Sequence, residues 1–174
     1  MKTFIEVLSG GDLRSIGRAD AIAKEVQSQH QFDELFEALF HYDRLIVMRA
    51  ADAVEKITKN KPEYLNSHKK SLLRLLKDAK DKELKWHLAL LASRLKLTKS
   101  ELGKAWEILS NWALDSNESR IVRVNSIQAL FDLSQQAPEL MGDFELTITQ
   151  LEREEIPSLK ARIRKLIKHS AESV

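Results

Sequence analysis

Apolar residues recur along this chain at three- and four-residue intervals, the spacing that gathers them on one face of an α-helix. In Ile46-Val47-Met48-Arg49-Ala50-Ala51-Asp52-Ala53-Val54-Glu55-Lys56-Ile57, that face is Ile46, Ala50, Ala53, Val54 and Ile57. The phrase returns at Leu84 to Leu95, at Val122 to Leu133 and, shortened, at Leu159 to Ile167; a degenerate first copy is read over Ile16 to Val26. Met48, Trp86, Val124 and Ala161 hold one position in the clear copies and stand 38, 38 and 37 residues apart. A period near 40 residues is that of two-helix solenoid repeats. The small residue at the second apolar position, Ala50 in the first clear copy, lets neighbouring helices approach closely.

A first helix precedes each copy. Residues Phe32 to Phe40 present Phe32, Leu35, Phe36, Leu39 and Phe40, and His68 to Ala79 present Leu72, Leu73, Leu75 and Leu76. A third starts at Thr98, which with Glu101 spells a capping box, each side chain satisfying an orphan amide donor. The fourth is Phe144 to Leu151, with Asp143 as its predicted cap. Pro62, Pro138 and Pro157 all fall between predicted helices, where a missing N–H does no harm. The segments 60–66 and 135–139 read as connections rather than hinges, so residues 1–174 are expected to form a single repeat domain. No hairpin buries its apolar stripe alone; stacking does that. The predicted class is all-α, an α-α superhelix of about five helical hairpins.

The repeated phrases resemble the second helix of HEAT repeats, whose hallmark is an aliphatic-basic pair followed by Ala and Ala-Leu. Val122-Arg123 with Ala129-Leu130 is the fullest match, Lys85 and Lys160 are conservative variants, and Val47 departs. Through Met48 to Ala53, Asn60 to Leu65, Lys85 to Ala89, Ser119 to Arg123 and Gln128 to Leu130, the chain is similar to a group of small bacterial HEAT-like repeat proteins. That resemblance implies a fold and a bacterial cytoplasm; it carries over no activity, partner or site residue.

Composition narrows the chemistry. The 174 residues are 43% hydrophobic and 31% charged, with 5 Gly and 3 Pro, a balance that favours helix and supplies one continuous core. The absence of Cys excludes disulfides, thiolate metal sites and a Cys nucleophile. A formal charge of +2 is a weak electrostatic footprint. No apolar run approaches the ~20 residues of a membrane span. Glu6 interrupts the first apolar stretch, against a signal peptide. Gly10-Gly11 reads as a turn into a helix capped by Asp12; no Lys-Ser or Lys-Thr follows it as in a phosphate loop. The five His form no close pair, and Glu152, Glu154 and Glu155 crowd a turn beside Arg153 as a solvated cap. No metal, cofactor or catalytic residue is predicted.

Trp106, Trp112, Asp115, Arg120 and Arg123 resemble the set with which HEAT-like alkylpurine DNA glycosylases grip damaged DNA. The Trp112–Asp115 separation of 3 departs from that family's wider spacing. Trp106, Ile108, Leu109 and Trp112 fall at helical spacing and read as core, and Trp86 takes the slot of Met48 and Val124.

In a two-helix solenoid the second helices line the concave side. Registering the copies gives rows expected to face solvent there: Arg49, His87, Asn125 and Arg162; Asp52, Leu90, Gln128 and Lys165; Lys56, Arg94, Asp132 and His169. The hallmark slot adds Lys85, Arg123 and Lys160. The predicted partner-binding residues are Arg49, Lys56, Lys85, His87, Arg94, Arg123, Arg162 and Lys165. Asp81, Asp115 and Glu155 are the acids expected to pair with the basic slot. Aromatics for stacking nucleic-acid bases are missing from the rows. A protein partner is therefore expected ahead of nucleic acid, for a cytoplasmic, non-enzymatic scaffold. The alternative is a nucleic-acid-binding protein related to the glycosylases. The basic last helix, Pro157 to His169, reads as a terminal repeat with a polar outer face rather than a membrane surface.

Overall fold

The computed structural model describes residues 3–9 and 17–172, with side chains over 3–9 and 19–168. The described residues form ten α-helices joined by turns and 3-10 segments, with no strand among them. The Gly10-Gly11 turn, its cap Asp12, Ile16 and the side chain of His169 lie outside the described residues. The chain divides into two compact units, residues 1–71 and 72–174.

The first unit holds α1 (Phe4–Leu8), α2 (Gly17–Glu25), α3 (Gln29–Glu37) and α4 (Arg44–Thr58). Each described start is satisfied locally. The Thr3 hydroxyl accepts from the Glu6 amide while Glu6 takes the Thr3 amide at 3.0 Å, the Ser28 hydroxyl caps α3, and Asp43 accepts the Leu45 amide at 2.8 Å. α4 is the centre: α1, α2 and α3 all pack on it. Ala50, Ala53 and Val54 of α4 are fully buried, as are Ile22, Phe32, Leu35 and Phe36 of the helices packed on it. Arg49 is fully buried, and its Nη1 donates to the Leu8 carbonyl at 2.6 Å, fastening the end of α1 to α4.

α5 (Lys69–Asp78) straddles the division at residue 71, and the second unit continues with α6 (Lys82–Ala92), α7 (Lys99–Leu114), α8 (Arg120–Gln136), α9 (Met141–Glu152) and α10 (Pro157–Glu172). Here the expected stacking is explicit. α8 lies between α6 and α10, second helix on second helix; α7 touches α9, first on first; α7 pairs with α8 and α9 with α10. Leu88, Leu91, Leu109, Ile127, Leu130, Leu151 and Ile163 are all fully buried, each removing ~1.5–3 kcal/mol worth of side chain from water.

Two boundaries differ from expectation. Pro138–Leu140 forms a 3-10 turn that runs directly into α9, so the helix starts at Met141. Asp143 is thus inside the first turn rather than at the cap; its carbonyl accepts the Thr147 hydroxyl at 2.9 Å. Likewise Pro62–His68 is a 3-10 segment leading into α5, with Pro62 at its first position, where a missing N–H has no helical partner to lose. The Thr98–Glu101 capping box is present as read.

Ser126 in α8 is fully buried, and its hydroxyl has no hydrogen-bond partner. Ala50 fills the equivalent position of α4. Ser126→Ala is expected to raise the unfolding free energy by about 1 kcal/mol, because an unsatisfied buried hydroxyl carries its full desolvation cost. A lower midpoint in urea than the parent chain's would show that the hydroxyl is bonded after all.

Candidate functional site

The basic slot of the second helices is an electrostatic ladder. Lys85 on α6 bonds Glu118, and both side chains are largely buried. Arg123 on α8 is buried; its Nη2 donates to both Glu154 oxygens at 2.7 and 2.8 Å and its Nε to the Ala113 carbonyl at 2.8 Å. Lys160 on α10 pairs with Glu155 at 2.6 Å. Of the three acids expected here, Glu155 takes the role. Glu118 and Glu154 take it as well, because they stand in the turns just before α8 and α10 and meet the slot of the preceding second helix. Asp115 closes α7 instead, its Oδ1 accepting the Asn117 amide at 2.9 Å.

The expectation of solvent-facing rows needs correction at three residues. Arg49, His87 and Arg123 are 0%, 1% and 1% exposed, so none offers its side chain outward. Arg49 and Arg123 are spent inside the fold, on the Leu8 carbonyl and on Glu154. Lys56 sits on α4 as the centre of a triad, bonded to Asp20 at 2.5 Å and Asp52 at 2.8 Å. Burial alone would lower its pKa, but the bonds and charges of both aspartates hold the ammonium above its ordinary value. The hydrogen bond and charge of Lys56 hold Asp20 below the usual carboxylate range. Asp52 is pushed up by burial, against the pull of Lys56.

Arg94, Arg162 and Lys165 remain, and all belong to the second unit. Arg94 is half-buried just past α6, Arg162 is half-buried on α10, and Lys165 is exposed one turn further on. Arg94 and Arg162 flank a polar network whose members interrupt the basic rows. Arg162 Nη1 donates to Gln128 Oε1 at 2.5 Å, Gln128 Nε2 donates to Asp132 Oδ1 at 2.8 Å, and the Ser93 hydroxyl donates to Asp132 Oδ2 at 3.3 Å. Gln136 closes the set by donating to the Ser93 carbonyl at 2.6 Å. Burial raises the pKa of Asp132, opposed by the hydrogen bonds of Gln128 and Ser93 and by the charges of Arg94 and Arg162. Three successive second helices, α6, α8 and α10, are thus joined through one half-buried carboxylate.

Trp86, Trp106 and Trp112 are each half-buried, and the Lys85 ammonium lies 5.4 Å from the Trp112 ring centre, at cation–π range. Of the polar members, Arg123 is buried, Asp115 is exposed but closes a helix, and Arg120 is exposed.

Concavities are shallow. One of about 390 Å³ lies in the first unit beside Asp20, Lys24, Lys56 and Lys61, where Lys56 is already held by two aspartates and Lys61 by the Tyr64 hydroxyl at 3.3 Å. Another of about 340 Å³ lies in the second unit beside Lys96, Lys99, Leu133 and Gln136. No helix among the described residues is long and apolar enough to cross a membrane.

A family model described as a HEAT repeat domain matches residues 12–170, nearly the whole chain. No curated protein matches it, and no solved structure does.

Proposed function

The chain belongs to the HEAT repeat domain family, and from that premise we propose that it is a non-enzymatic, cytoplasmic scaffold or adaptor that binds a protein partner on the face of its second helices. Stacked helical hairpins present long surfaces of this kind, and their helices bring no reacting groups together by themselves. The observation that carries the reading is the split among the basic residues. Lys56, Lys85 and Arg123 are bonded to carboxylates within the fold, whereas Arg162 rests on the neutral amide of Gln128 and Lys165 stands exposed. The outward charge is therefore local and mixed with amide groups, which suits a polar protein surface.

The nucleic-acid reading draws on the same basic positions. It wants a run of outward cations tracking a phosphate backbone, with aromatic faces between them. Arg49 and Arg123 are buried, and Trp112 is covered by Lys85; these observations favour protein.

The test is affinity capture with the full chain from its source cells, at low and at moderate salt. One protein recovered at both salts supports the scaffold. Nucleic acid alone, released as salt rises, replaces it with the alternative.

A further inference from the structure

We propose that Arg162 and Lys165, set against Gln128 on the second unit's second helices, form the anchor for an acidic side chain, an aspartate or glutamate in an extended segment of a protein partner. This deepens the scaffold reading and rests on it.

The inference starts from how Arg162 is held. A guanidinium carries five donors in a planar fork and favours two-pronged bonding to a carboxylate. Arg123 shows that arrangement inside this chain, gripping both oxygens of Glu154. Arg162 does not. Gln128 stands between it and Asp132, its carbonyl accepting from Arg162 Nη1 and its amide nitrogen donating to Asp132. The cation is thus positioned by a neutral group, one amide away from its internal counter-ion. It is half-buried, so it is fixed in place and shielded from full screening while still reached from solvent.

Lys165 follows Arg162 by three residues, which places the two on one side of α10, and it is exposed. Arg94 acts on the same Asp132 carboxylate as Arg162. Asp132 is thus faced by two guanidinium charges, and the exposed Lys165 ammonium adds a further cation one turn along α10 from Arg162. An incoming carboxylate completes the site by taking the free edge of the Arg162 fork with the Lys165 ammonium alongside. Asp132 then acts as the built-in competitor. It sets how strongly an external acid is attracted, and Gln128 and Ser93 keep it from closing directly on Arg162.

This arrangement makes two substitutions act in opposite directions, which separates binding from folding. The probe is fluorescein-labelled hexaglutamate, followed by fluorescence anisotropy with the full chain, and hexalysine and a single-stranded oligonucleotide serve as comparisons. Arg162→Gln with Lys165→Gln is expected to weaken hexaglutamate binding about tenfold. Asp132→Asn is expected to strengthen it severalfold. Lys104→Gln, an exposed cation on α7, is expected to leave it unchanged.

The proposal fails if hexaglutamate does not bind, if the double substitution leaves its affinity intact, or if Lys104→Gln weakens it equally. An oligonucleotide that binds more tightly and is lost with the same double substitution also overturns it, assigning the site to phosphate. The scaffold reading is judged separately. A protein partner that the double variant still captures leaves the scaffold standing and removes only this anchor.

Discussion

Glu154→Ala is expected to lower the unfolding free energy by about 3–5 kcal/mol, and to do more damage than Arg123→Met, although the two residues share one ion pair. The asymmetry follows from where each charge is left. The Arg123 side chain is 2% exposed and that of Glu154 27%. Removing Glu154 strands a guanidinium among apolar neighbours, with only the Ala113 carbonyl on its Nε. Removing Arg123 leaves a carboxylate that turns to water, while methionine fills most of the vacated volume, so the loss is expected near 1–2 kcal/mol. The combined Arg123→Met and Glu154→Gln chain is expected to recover much of the stability that Glu154→Ala loses, since a buried pair replaced as a whole costs little. Urea unfolding of the full chain measures all three. Equal losses for Glu154→Ala and Arg123→Met would remove buried charge as the cause.

The second large effect belongs to Leu130. Its side chain is fully buried at the middle of α8, the helix on which α6, α7, α9 and α10 all pack. Leu130→Ala removes that contact and opens a cavity that several helices would have to shift together to close. A loss of about 3–5 kcal/mol is expected, toward the upper end for such substitutions. Leu146→Ala, at a side chain 72% exposed on α9, is expected to change stability by less than about 0.5 kcal/mol. A Leu130→Ala midpoint within experimental error of the parent's would mean that α8 is not the centre of this unit.

Much of the fold was legible because the signals that fix it are local. The period from Met48 to Ala161 placed the second helices, and Thr98 with Glu101 marked the start of α7. The same rule applied to Thr3 and Glu6 marks α1, whose capping box is equally plain. Asp143 looks like a cap because it stands immediately before the apolar run, but Pro138 has already begun a turn that carries into the helix.

The site was harder to read for a physical reason. Registering repeats shows which residues are equivalent, not which of them the fold consumes. Arg49 reads as an exposed cation, yet its Nη1 donates to a backbone carbonyl 41 residues earlier, which no local pattern reveals. Glu118 and Glu154 were beyond reach for a related reason: their partners lie one hairpin back, at separations of 33 and 31 residues. The pair Gln128 and Asp132 could have been noticed as an i,i+4 couple on one helix face.

That forward reach has a consequence for the growing polypeptide. Arg123 leaves the ribosome well before Glu154, and Lys85 before Glu118, so the hairpins of α6 and α8 each carry a cation whose carboxylate has yet to be made. Until the next ~30 residues emerge, at the ~5–20 residues per second of synthesis, α8 has no reason to bury Arg123 and good reason to keep it wet. The order of translation thereby becomes an order of closure for these two hairpins, each sealed by its successor.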